Sequence, residues 1–98
     1  MGNDKLKDKS IDALFEAILT LETVEECYCF FEDIGTISEI KGLAQRLEVA
    51  KLLQEGRKYA EVSELTGASP ATISRVSKCL NYGADGYHLV LERLKKEE

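Results

Sequence analysis

The chain lacks tryptophan altogether and has one proline, one histidine and three cysteines in 98 residues. A single proline suits a helix-rich chain, because proline is the residue that most disrupts a helix interior. Strand signals are missing too: there is no sustained period-two alternation and no hairpin dipeptide between β-branched runs. The longest apolar run, Cys27-Tyr28-Cys29-Phe30-Phe31, falls far short of the roughly 20 residues a membrane span needs. The polar start Met1-Gly2-Asn3-Asp4 does not resemble a secretory signal, so a cytoplasmic location and no membrane partner are expected. An odd number of cysteines points to reduced thiols rather than a disulfide framework.

The sequence is equally poor in enzymatic constellations. It has no P-loop, no dinucleotide fingerprint following a strand, and no arguable nucleophile–base pair, so the expectation is a non-enzyme. Cys27-x-Cys29, with Cys79 and His88, is the one conceivable metal or redox cluster. On a helix, residues two apart point about 200° apart, so Cys27 and Cys29 would not share an ion. Buried free thiols are expected, with no metal and no cofactor. A thiol-based redox sensor is the weakest functional alternative, and a packing or surface role is expected for His88.

What is present describes one small globular domain. Hydrophobic residues make up 44% and charged residues 32% of the chain. A chain this short buries a modest fraction of its surface, which makes dimerisation a natural supplement to stability. The net charge of −5 argues against a nonspecific nucleic-acid coat. Its distribution is uneven: residues 1–55 carry −6, residues 56–82 carry +2 and residues 83–98 carry −1.

Residues 1–9 alternate Lys and Asp with little to bury and read as a flexible arm. Ser10, as N-cap, precedes an amphipathic stripe of Ile11, Leu14, Phe15, Ile18 and Leu21. Thr23 and Glu26 form a capping box for a second helix, ended by Gly35. Its aromatics Tyr28, Phe30 and Phe31 cannot all face one side, so a second subunit is expected to cover part of it. Thr36 and Glu39 repeat the box and open a helix from about Ile37 to Glu55, closed by Gly56, with a stripe of Ile37, Ile40, Leu43, Ala44, Leu47, Ala50 and Leu53.

Residues 59–82 carry the function. Val62 supplies an inward apolar residue, and Ser63 is small where a partner helix must approach. Gly67 tolerates positive φ, and Ala68 is the small apolar residue that follows it. Ser69 is an N-cap with Pro70 at the first helical position. Ile73 and Val76 face inward. Jointly these are the features of a helix-turn-helix. Thr72, Ser74, Arg75 and Lys78 then project toward solvent or DNA.

In such a unit the N-terminal residues of the second helix, here Ser69, Pro70, Ala71, Thr72 and Ser74, reach base edges in the major groove. Arg75 and Lys78 are suited to phosphate oxygens, which fix register and make affinity fall with salt. Small hydroxyl and methyl groups imply modest direct readout, supplemented by water-mediated or shape-dependent specificity.

Gly67-Ala68-Ser69-Pro70-Ala71-Thr72-Ile73-Ser74-Arg75 resembles the helix-turn-helix of the tryptophan repressor family. The likeness extends from Thr36–Leu53 to a last amphipathic helix at about Asp85–Lys95, and the whole resembles the family's YerC/YecD group. The resemblance implies an all-α, six-helix chain that forms an intertwined homodimer on a two-fold symmetric operator. It also implies an effector pocket at Arg46, Arg75, Val76 and Cys79. The family pattern has glycine where Val76 stands and serine where Cys79 stands. Val76 is expected to fill space otherwise taken by an indole, so that tryptophan is not required. Arg46 and Arg75 are left to hold another small-molecule effector of unknown identity, or, for Arg46, to pair with neighbouring glutamates.

The expectation is therefore a sequence-specific transcriptional repressor with double-stranded DNA and a second copy of itself as partners. Residues 10–98 form one domain, with dimerisation helices at 10–55, the helix-turn-helix at 59–82 and a C-terminal helix at 85–96. The alternative is a helical protein-interaction adaptor that has lost operator binding.

Overall fold

The computed structural model describes residues 7–97. Six α-helices follow one another: α1 Lys9–Ile18, α2 Val24–Ile34, α3 Ile37–Gln54, α4 Tyr59–Thr66, α5 Pro70–Tyr82 and α6 Gly86–Lys96. No strand occurs among the described residues. Of these residues, 7–41 form one compact unit and 42–97 another.

In the first unit, α1 starts earlier than the sequence suggests. Asp8, not Ser10, is its N-cap: the Asp8 carboxylate accepts from the Ile11 amide at 2.8 Å and from the Ser10 hydroxyl at 2.7 Å. A carboxylate is the stronger acceptor and complements the positive end of the helix dipole. The two bonds, that from Ser10 first, hold the Asp8 carboxyl below its ordinary range. Of the arm expected over residues 1–9, residues 1–6 lie outside the described residues, and Lys9 is already helical.

The capping boxes form, with one variation. At α2, Thr23 Oγ1 accepts from the Glu26 amide at 3.1 Å, but Glu26 reaches back to the Glu22 amide, 2.9 Å away, rather than to that of Thr23. At α3 the exchange is fully reciprocal: Thr36 N–H donates to Glu39 Oε1 at 2.9 Å, and Glu39 N–H to Thr36 Oγ1 at 3.1 Å. Gly35 ends α2 in extended backbone, φ −126°, not in a left-handed cap.

Neither α1 nor α2 has a fully buried residue. Phe30 and Phe31 are half-buried and meet edge to face with centroids 5.5 Å apart, while Tyr28 is 66% exposed. Cys27, Cys29 and Cys79 are all exposed, which overturns the burial expected of the thiols. Apolar character alone suggested that burial, but among the described residues the three thiols stay exposed.

The second unit holds the core. Val49 and Ala50 of α3, Val62 of α4, Ala68 of the turn after it, Ile73 and Val76 of α5, and Leu91 of α6 are buried together. Leu52, Leu53, Leu80 and Tyr87 pack around them. The stripe read for α3 is thus only partly the core face. Val49, absent from that stripe, is fully buried, whereas Leu43 and Leu47 are 52% and 37% exposed. The helix is apolar on two sides, and periodicity does not tell which side the core takes. After α3, Gly56 at φ +86° closes a Schellman cap: the Arg57 amide bonds Leu52 O at 3.2 Å and the Gly56 amide bonds Leu53 O at 3.0 Å.

Between α5 and α6 the chain turns tightly. A Cβ on Gly83 would collide with the Cys79 carbonyl oxygen and lie 3.0 Å from Cys79 Cα. Asp85, the N-cap of α6, is the one non-glycine residue with positive φ among the described residues, at +66°.

Candidate nucleic-acid interface

The segment from Tyr59 to Tyr82 is two short helices joined by the three residues Gly67, Ala68 and Ser69. Gly67 takes φ +73°, and its amide returns to Ser63 O at 2.8 Å. Nothing lies within 4 Å of where a Cβ would be, so backbone conformation rather than crowding requires glycine here.

Hydroxyl groups lock this turn. Thr66 Oγ1 donates to Val62 O at 2.7 Å and accepts from the Ala68 amide at 3.1 Å. Ser63 Oγ donates to Ala68 O at 2.9 Å. From α3, Gln45 Nε2 donates to Thr66 O at 3.2 Å. Val62, Ala68, Ile73 and Val76 pack beneath, all at most 2% exposed. The turn is therefore held by polar bonds above and apolar packing below.

The start of α5 combines Pro70 with the Ser69 cap. Ser69 Oγ accepts from the Thr72 amide at 3.2 Å and donates to Thr72 Oγ1 at 3.1 Å. Thr72 is half-buried and engaged in the cap, so it projects less than the sequence suggests. Pro70, Ala71, Ser74, Arg75 and Lys78 are exposed, as is Ser69. Neither Arg75 nor Lys78 has a carboxylate within 4.0 Å among the described residues, whereas Arg57 is tied to Glu61 at 2.9 Å. Lys58, the N-cap of α4 just before this segment, is a further exposed cation that sequence reasoning counted in the basic stretch but did not name as a DNA contact. Its place immediately before the helix, inside the basic stretch, was the available signal.

The residues expected around an effector differ in burial. Val76 is 1% exposed and belongs to the core beside Ile73, while Arg75 is exposed. Arg46 is half-buried on α3, and its Nη1 would lie 3.9 Å from a Cβ on Gly42. Among the described residues no carboxylate pairs with Arg46, so the pairing with glutamates considered for it does not form. Cys79 lines an apolar depression with Leu47, Ala84, Gly86, Tyr87 and Val90. Among the described residues no group of three or more His, Cys, Asp or Glu is placed to hold a metal ion. Among the described residues no helix is long and apolar enough to cross a membrane.

The sequence profile of the family described as Trp repressor protein matches residues 9–95. The chain belongs to the Trp repressor family. Within it the chain falls in the YerC group: it is 57% identical over 98 residues to the uncharacterized protein YerC of Bacillus subtilis (strain 168), covering 100% of this chain and 94% of that protein. Among solved structures it is similar to a candidate Trp repressor from Staphylococcus aureus, with a TM-score of 0.92, 49% identity and coverage of 97% and 95% of the two chains. A TrpR-like protein from Eubacterium eligens gives a TM-score of 0.91, 57% identity and coverage of 95% and 96%. The six helices of the described residues thus follow the architecture of these Trp repressor-like structures over nearly the whole chain. Val76, the residue expected to fill a ligand's space, is a core side chain.

Proposed function

We propose that this protein is a sequence-specific DNA-binding transcriptional regulator of the cytoplasm, acting as a homodimer and repressing by steric exclusion. The observation that carries the reading is the placement of α5. Its inner face, Ile73 and Val76, is buried, and its outer face presents Ala71, Ser74, Arg75 and Lys78 to solvent. A helix fixed in this way can enter a major groove with its N-terminal turns foremost, as the second helix of a helix-turn-helix does. Ala71 and Ser74 suit thymine methyl and base-edge contacts, and Arg75, Lys78 and Lys58 suit phosphates.

Two copies are required because one such helix reads too few base pairs. The single chain leaves apolar side chains uncovered, including Leu19 at 83%, Val24 at 71%, Ile37 at 72% and Tyr28 at 66% exposed. Solvent-exposed apolar groups of this size, repeated along three helices, favour burial against a second copy. Paired recognition helices would then sit about one helical turn of DNA apart, on the order of 34 Å.

Tryptophan is not needed to set this unit. Val76 fills the interior of the helix pair with its own side chain, where a glycine would leave room for a ligand. Arg46 and Arg75 remain available to a different small anion.

In vitro selection from random duplexes tests the reading. Enrichment of one two-fold symmetric motif, with half-sites about 10 base pairs apart, is the expected result. Absence of enrichment, with the chain pulling down protein partners instead, would support an interaction adaptor. Calorimetry tests the effector statement: micromolar tryptophan binding that tightens DNA affinity would contradict it.

A further inference from the structure

The sole histidine of the chain ties three helices together. His88 Nε2 lies 2.7 Å from the carbonyl oxygen of Leu80, near the end of α5. His88 Nδ1 lies 2.8 Å from Gln54 Nε2, at the end of α3. A carbonyl only accepts, so Nε2–H donates to Leu80 O, and in that tautomer Nδ1 accepts from the Gln54 amide. Both ring nitrogens are therefore committed, one to each neighbouring helix.

Leu80 O needs this bond. It is one of the last carbonyls of α5, beyond the reach of the intrahelical ladder. The turn that follows is tight: Gly83 passes against Cys79 and Asp85 holds a left-handed conformation. His88, in the first turn of α6, thus reaches back to cap the C-terminal end of the helix whose N-terminal end faces outward at Pro70 and Ala71. Ile73, Val76 and Leu80 hold the inner face of α5 against the core, Ser69 caps its N-terminal end and His88 its C-terminal end. Releasing the C-terminal cap loosens the angle at which the core holds α5.

We infer that His88 and Gln54 are positioning residues for DNA binding, which set the angle of α5 by strapping its C-terminal end to α3 and α6. The inference rests on reading α5 as the recognition helix. The strap touches no base or phosphate. It acts through the orientation of Ser74, Arg75 and Lys78, so its loss lowers discrimination between duplexes as well as affinity.

The test uses the full chain and the duplex enriched by in vitro selection with the wild-type protein. His88→Leu removes both bonds. His88→Gln keeps an amide N–H for Leu80 O and a carbonyl for Gln54. Gln54→Leu breaks the strap while leaving the ring in place, and serves if His88→Leu does not fold. At a temperature where circular dichroism shows every variant folded, His88→Leu and Gln54→Leu should each bind the selected duplex about tenfold more weakly, the size expected for a lost hydrogen bond. The double variant should be no worse than His88→Leu, since the two act as one unit. His88→Gln should bind within about twofold of wild type, a rescue that loss of packing alone would not show. Nitrogen chemical shifts of the ring should show Nε2 protonated and Nδ1 bare. His88→Leu binding like wild type, or a ring protonated on Nδ1 alone, would overturn the inference. Wild-type protein that enriches no duplex would instead overturn the functional reading beneath it.

Discussion

Ser63 and Ala68 are joined by a 2.9 Å hydrogen bond from the Ser63 hydroxyl to the Ala68 carbonyl. Ser63 sits on α4 and Ala68 in the turn, so the bond closes the corner that sets α4 against α5. Ser63→Ala keeps the close approach of the helices but removes the donor. The expected loss of stability is about 1 kcal/mol. Urea unfolding should show a lower midpoint with an unchanged slope, because the surface exposed on unfolding is the same.

Gly67 gives a separate measure of the same corner. Its φ of +73° disfavours any side chain, while the space around it is open. Gly67→Ala should therefore cost roughly 1–2 kcal/mol through backbone strain alone. Gly67→Asn should cost less, because asparagine enters the left-handed region more readily. Equal losses for both, followed by thermal unfolding, would argue against a purely conformational requirement.

Ile73 and Val62 lie at 1% and 0% exposure in the core beneath the turn. Ile73→Ala should destabilise by about 2–5 kcal/mol, through lost burial and the cavity left behind. In a chain this small that is enough to abolish cooperative unfolding, and calorimetry would show a broadened or absent transition.

This much of the fold was legible because helix boundaries carry local chemistry. Thr36 with Glu39, Ser69 with Pro70, and Gly67 each announce a terminus within a few residues. The core face of α3 was not legible, because Val49 and Leu43 are equally apolar and only tertiary packing chooses between them. Nor was the engagement of Thr72: the sequence marks it as an outward hydroxyl, and the Ser69 side chain draws it into the cap. His88 bridging Gln54 and Leu80 joins residues 34 and 8 positions apart, a separation at which sequence pattern carries no signal.

Glu39 makes stability depend on pH in a predictable direction. The hydrogen bonds from Thr36, that of the backbone amide first, hold its carboxyl below the ordinary glutamate range. A lowered pKa means that the carboxylate stabilises the folded state above the unfolded-state value, and that this contribution is lost as the pH falls through the folded-state value. Glu39→Gln should lose this contribution at neutral pH, where it is fully present, and so flatten the acid side of the stability profile. An unaltered acid profile in thermal melts would show that the box does not persist in solution.

Ser74 and Lys78 separate specificity from affinity. Both are exposed on α5, one a small hydroxyl and the other a cation without a carboxylate partner among the described residues. Ser74→Ala should relax preference among duplexes, whereas Lys78→Ala should weaken all duplexes similarly and reduce the salt slope by about one for each protomer. Thr72→Ala should act mainly on helix stability, because its hydroxyl and amide belong to the cap. Binding isotherms over a range of salt would show whether the Ser74 and Lys78 variants differ in kind.

Competition between the selected duplex and a shuffled one of equal length, at fixed salt near physiological strength, tests the central claim most directly. A preference of roughly a thousandfold or more for the selected duplex is expected of a helix that reads bases. Equal affinity for the two, or none for either, would contradict the assignment of α5 to DNA.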